Sequence, residues 1–132
     1  NDANDAIIIG AGKLGKALLT FDGFKDYGFN ILAAFDIDEN AIAEEIPGKL
    51  LLPMSKFMDF CERTKVRIGI ITVPDKNAQA IASLLVEGGI LAIWNFSSVH
   101  LVVPKDVLVQ NENMAASMAV LSKHLSEKFH IN

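Results

Sequence analysis

Ala6-Ile7-Ile8-Ile9-Gly10-Ala11-Gly12-Lys13-Leu14-Gly15 is the stretch on which the fold turns. The run from Ala6 to Ile9 is short, apolar and mostly β-branched, which predicts a buried strand. It passes directly into Gly10, Gly12 and Gly15, after which Leu14, Ala17, Leu18 and Phe21 recur at helical spacing. A glycine-rich turn between a strand and a helix suits a pyrophosphate. Gly10 permits the tight turn, Gly12 lets the phosphates approach the backbone, and Gly15 lets the helix pack close to the strand. Free N–H groups and the dipole at the helix start favour the negative charge. Leu14 belongs to the same loop. The Lys13 ammonium either adds a phosphate contact or is a solvated helix residue.

Working outward, Phe29 to Phe35 predicts a second strand, ended by Asp36, and Asp38 and Glu39 start a polar connection. Pro47-Gly48 signals a turn before a short third strand, Leu50 to Leu52. Ser55 is the expected N-cap of a helix carrying Phe57, Met58, Phe60 and Cys61. Ile68 to Val73 predicts a fourth strand ended by Pro74, and Ala78 to Val86 a helix closed by Gly88-Gly89. Ile90 to Asn95 and Val107 to Gln110 complete the strands. This alternation predicts an α/β fold of the Rossmann type, a doubly wound and mostly parallel sheet. Residues 1–112 form this domain. In residues 113–132, Asn113 caps a helix from about Met114 to Lys128, with Met114, Met118, Leu121, Leu125 and Phe129 on one stripe. That stripe packs either on its own sheet or on another subunit.

Asp36 supplies the second half of the fingerprint, about 20 residues after Gly15 and at the end of a strand. A carboxylate there accepts hydrogen bonds from the adenosine ribose and repels a 2′-phosphate. Its neighbours Ile37 and Asp38 include no arginine, so the reading is NADH/NAD rather than NADP(H). Thr72, Val73 and Pro74 follow the fourth strand; Asn95, Phe96 and Ser97 follow the fifth. Strand carboxyl ends are where ligands sit in such sheets, and these residues complete the expected cofactor site. Plain loop structure is the competing reading for them.

Composition narrows the function. The chain has 132 residues, 51% hydrophobic and 21% charged, with a net charge of −4. This is a globular domain without the electrostatics of a nucleic-acid binder. One cysteine, Cys61, excludes an internal disulfide and fits a reducing, cytoplasmic setting. No apolar stretch is long enough for a membrane span. The polar start, Asn1-Asp2-Ala3-Asn4-Asp5, is unlike a signal peptide, and without an initiator methionine it suggests a piece of a longer protein. No catalytic residue stands out. His100 reads as a surface-loop residue, His124 and His130 as helix-end residues, and Cys61 as core. No metal-ligand spacing occurs. The expectation is therefore a cofactor site and not an enzyme. The alternatives are the cofactor domain of an NAD-dependent enzyme, and a CoA-binding domain, against which Asp36 counts.

The run from Ile8 to Leu19 is similar to the start of the nucleotide-binding domain of Rex, the bacterial redox-sensing transcriptional repressors. Gly28-Phe29, Ala33-Ala34-Phe35-Asp36-Ile37-Asp38, Thr72-Val73-Pro74, Ala78-Gln79, Gly89-Ile90, Asn95-Phe96 and Leu101-x-Val103-Pro104 extend the resemblance over nearly the whole chain. It implies a homodimer whose C-terminal helix crosses to the partner, with Met114 near the partner's nicotinamide. It implies release of operator DNA when NADH binds, the DNA being held by an N-terminal winged-helix domain that this sequence does not contain. The chain departs from the family pattern at Asn113, where an aspartate is usual, and at Lys13, where asparagine is common. An amide at 113 cannot supply a sensing charge.

Overall fold

Six strands lie in one sheet in the order β3-β2-β1-β4-β5-β6. They are β1 (Asp5–Ile9), β2 (Asn30–Asp36), β3 (Leu51–Pro53), β4 (Ile68–Ile71), β5 (Ala92–Asn95) and β6 (Leu108–Asn111). Every pairing is parallel. The computed structural model describes residues 4–112 and 114–131, with only the backbone described from 114 to 117. The helices are α1 (Lys13–Leu19), α2 (Gly23–Asp26), α3 (Glu39–Ile42), α4 (Phe57–Thr64), α5 (Asp75–Glu87) and α6 (Met114–Phe129).

The period-two alternation of strands divides β1 between two cores. Ile7 and Ile9 face a layer built by α4 and α5, where Phe57, Cys61, Ile81 and Leu85 are buried. Ala6 and Ile8 face the other layer, with Leu18 and Leu19 of α1. The strand order reverses between β1 and β4. The loops after these two strands diverge to opposite faces and leave a crevice at their carboxyl ends.

The second face is only partly covered. An apolar groove of about 850 Å³ runs over β4 to β6 between Phe21, Phe24, Ile68, Ile70, Trp94 and Leu108. Meanwhile, among the described residues, the stripe of α6 stands open: Met118 is 69%, Leu121 68% and Phe129 58% exposed. Burying such side chains contributes roughly 1.5–3 kcal/mol each.

The element boundaries depart from the sequence reading for local reasons. Leu91 and Ala92 both donate to the Arg67 carbonyl, and Ile90 still bonds back to Leu85 at the end of α5. β5 therefore begins at Ala92 rather than Ile90. Ser55 is not an N-cap: Met54–Lys56 form a 3-10 turn, and Lys56 holds the cap position of α4. α5 begins at Asp75, immediately after Pro74, whose fixed φ suits a helix start. The connection after Asp36 contains α3, capped by the Asp38 carboxylate accepting from the Asn40 amide at 2.9 Å.

Candidate functional site

The three glycines of the first loop have different causes. Gly10 has φ +114°, and a Cβ on it would stand 2.3 Å from Thr72 Oγ1. A Cβ on Gly15 would stand 1.7 Å from the Gly10 carbonyl oxygen. The fold therefore requires glycine at both. Gly12 has φ −77° and ψ −160°, extended backbone open to any residue. A Cβ there would meet nothing within 4 Å. Neither conformation nor packing explains glycine at 12, whereas a ligand lying on the loop does.

Asp36 closes β2 beside this loop. Its Oδ2 accepts from the Ala11 amide at 2.7 Å, and its Oδ1 accepts from the Asp38 amide at 2.9 Å. A carboxylate has about four acceptor positions, so two bonds leave capacity for hydroxyls. Lys13 is exposed at the loop rim, Leu14 half-buried, and Ile37 73% exposed beside Asp36. These residues bring a glycine cradle and a carboxylate to one side of the crevice.

The other side is made by the loops after β4 and β5. Thr72 Oγ1 lies 3.1 Å from the Ile9 carbonyl and 3.0 Å from that of Gly10, tying β4 to the glycine loop. Val73 is half-buried and Pro74 exposed. Phe96 packs on Trp94 with ring centroids 4.7 Å apart, and Trp94 in turn meets Phe24 edge-on at 6.1 Å.

Asn95 and Ser97 differ from the expectation of direct contact. Asn95 is completely buried. Its Nδ2 donates to the Val99 carbonyl and to Asn111 Oδ1, both at 3.0 Å. Its Oδ1 accepts from the Ser97 amide at 3.0 Å and from Ser97 Oγ at 2.6 Å. The Asn95 amide thus shapes the turn from beneath, and the buried Ser97 hydroxyl is spent on it.

Sequence reasoning missed Asp75 and Gln79. Ser98 donates from its amide, at 3.0 Å, and from its hydroxyl to the two oxygens of Asp75. Those bonds hold the Asp75 carboxyl below its ordinary range. Gln79 exchanges two hydrogen bonds with the Val102 backbone, at 2.9 and 2.7 Å. An acidic residue directly after Pro74 was the available signal; its partner 23 positions away was not.

His100, His124 and His130 are exposed. Cys61 is buried against Gly88, and burial pushes its thiol up to about 11, far from a nucleophile's range. Among the described residues no group of three or more His, Cys, Asp or Glu could hold a metal ion. None of their helices is long and apolar enough to cross a membrane. Asn113 and the Met114 side chain lie outside the described residues.

The family model described as "CoA binding domain" matches residues 1–99. The redox-sensing transcriptional repressor Rex of Treponema denticola is 40% identical over 128 residues, covering 97% of this chain and 61% of that protein. The Rex of Bacteroides thetaiotaomicron is 38% identical over 125 residues, covering 95% and 57%. The chain thus spans about three-fifths of the curated relatives it matches. A crystal structure of RSP, a Rex-family repressor, in complex with beta-NADH superposes with a TM-score of 0.87 at 38% identity, covering 96% of this chain and 61% of that one. Aspartate semialdehyde dehydrogenase II of Vibrio cholerae, at 18% identity and a TM-score of 0.62, shares the fold alone. The chain belongs to the CoA binding domain family, and over nearly its whole length it is similar in sequence and fold to Rex repressors.

Proposed function

We propose that this chain is the NAD(H)-sensing domain of a Rex-like transcriptional repressor, cytoplasmic and not an enzyme. The observation that carries the reading is Gly12, a glycine with neither a conformational nor a packing cause, set beside Asp36, which braces the same loop through the Ala11 amide. A dinucleotide fits this arrangement: pyrophosphate over Gly12 and the first turn of α1, adenosine ribose on Asp36, nicotinamide between the loops after β4 and β5. Bound there, the cofactor supplies a ring whose charge differs between its oxidised and reduced states. The protein's part is to bind and to report, through a difference in affinity between two arrangements of the whole repressor.

Residues 1–112 form the cofactor domain and residues 113–132 the dimerisation helix. The groove over β4 to β6 is apolar, α6 carries an apolar stripe that is exposed among the described residues, and both occur in one molecule. A second copy exchanging α6 satisfies both surfaces at once. RSP has been crystallised with beta-NAD+ and operator DNA. For this protein, operator binding belongs to the full-length chain through its winged-helix domain, with NADH lowering DNA affinity.

Calorimetric titration of the domain with NADH, NAD+, NADPH and CoA tests the reading. Tight NADH with weaker NAD+ and NADPH is the expected result. Preference for CoA, which the family model's description favours, would replace it.

A further inference from the structure

Residues 96–107 join β5 to β6 without a helix or strand of their own. Such a segment must satisfy its backbone by other means. Asn95 holds its beginning from within. From outside, α5 grips it twice: Asp75 takes both donors of Ser98, and Gln79, one turn later on the same helix face, pairs with Val102 in both directions. Asp75 and Ser98 are exposed, so this grip adds nothing to the core. It lies at the crevice rim. The helix that grips begins directly after Val73-Pro74, and the segment it grips begins with Phe96-Ser97. One clasp thus joins the two loops that face each other across the distal half of the cleft.

We infer that Asp75 and Gln79 are positioning residues for the nicotinamide half of the dinucleotide, setting the gap between Val73-Pro74 and Phe96-Ser97. The inference rests on the dinucleotide reading above. The adenosine half lies on Gly12 and Asp36, beyond β1, where the clasp makes no contact. Loss of the clasp is therefore felt at one end of the ligand only. This also gives a role to the Gln79 of the Ala78-Gln79 pair and to the extended stretch around Val102.

The test is calorimetric titration of the whole chain with NADH and with ADP-ribose, which lacks the nicotinamide. Asp75→Ala and Gln79→Ala are each expected to weaken NADH about ten-fold while leaving ADP-ribose within about two-fold, the loss of one or two hydrogen bonds felt at one end. Asp75→Asn keeps both contacts, because its oxygen can accept from the Ser98 amide and its NH2 can donate to Ser98 Oγ. It is expected to match the wild type. Equal losses on both ligands, or unchanged NADH affinity in both alanine variants, would overturn the inference. So would an Asp75→Asn variant as weak as Asp75→Ala, since charge rather than the clasp would then be acting. Wild-type protein that binds neither ligand removes the dinucleotide reading itself, and the clasp's role with it. Wild-type binding with indifferent variants removes only the clasp.

Discussion

The backbone amide of Ala11 donates to Asp36 Oδ2 at 2.7 Å, so the carboxylate that ends β2 also braces the glycine loop after β1. A charged hydrogen bond of this kind contributes about 1.5–3 kcal/mol. Asp36→Ala is therefore expected to weaken NADH by about ten- to a hundred-fold, and to narrow the preference over NADPH by removing the repelling charge. Asp36→Asn preserves an acceptor for Ala11 and should lose less NADH affinity. Titration of both variants with NADH and NADPH decides it; unchanged affinities would take Asp36 out of the site.

Gly12 and Gly15 make opposite predictions. Gly15→Ala drives a methyl into the Gly10 carbonyl, at 1.7 Å before relaxation. It should destabilise the domain by about 1–3 kcal/mol or more in urea unfolding. Gly12→Ala places its methyl in open space and should leave the unfolding midpoint unchanged while weakening NADH at least about ten-fold, about 1.4 kcal/mol. A Gly12→Ala variant that binds normally would show the loop is not a phosphate cradle.

Truncation before Asn113 is expected to give a folded monomer, because the described apolar side chains of the removed helix, Met118, Leu121, Leu125 and Phe129, are exposed rather than built into the core. Leu121→Lys, which puts a charge on the exposed stripe, should weaken the same association without shortening the chain. Sedimentation velocity reads both. A dimer that survives truncation would rule out exchange of α6.

Cys61 makes the domain sensitive to alkali. Burial raises the folded thiol from 9.0 to about 11, so the folded state holds its proton more tightly than the unfolded chain. The corresponding stability is complete below pH 9 and is lost as pH rises through about 11. At neutral pH the thiol should react with a disulfide reagent only as fast as the domain opens. Rapid labelling of the native protein would contradict the burial.

The centre of the sheet was legible because β1 and β4 are buried almost throughout and read as unbroken apolar runs, Ile7-Ile8-Ile9 and Ile68-Gly69-Ile70-Ile71. The glycine loop and Asp36 were legible because local chain geometry imposes their spacing. The role of Asn95 was not: its four hydrogen bonds reach Ser97, Val99 and Asn111, a set visible only once β5 and β6 are paired. Asp75 and Gln79 stayed hidden for the same reason, their partners being set by the path of an irregular segment. α2 and α3 are each four residues long, too short for a periodicity to register. Ser55 had the right chemistry for a cap and lost the position to the 3-10 turn around it.

Trp94 is the chain's one tryptophan, its ring 4.7 Å from that of Phe96 and 6.1 Å from that of Phe24. Its indole Nε1 is buried with no acceptor among the described residues. All indole fluorescence of the domain therefore originates from a ring that lines the groove and packs on Phe96. A nicotinamide arriving beside Phe96 and a helix arriving beside Phe24 would each perturb the same fluorophore. Ligand occupancy and subunit pairing could then be followed as two signals from a single native label.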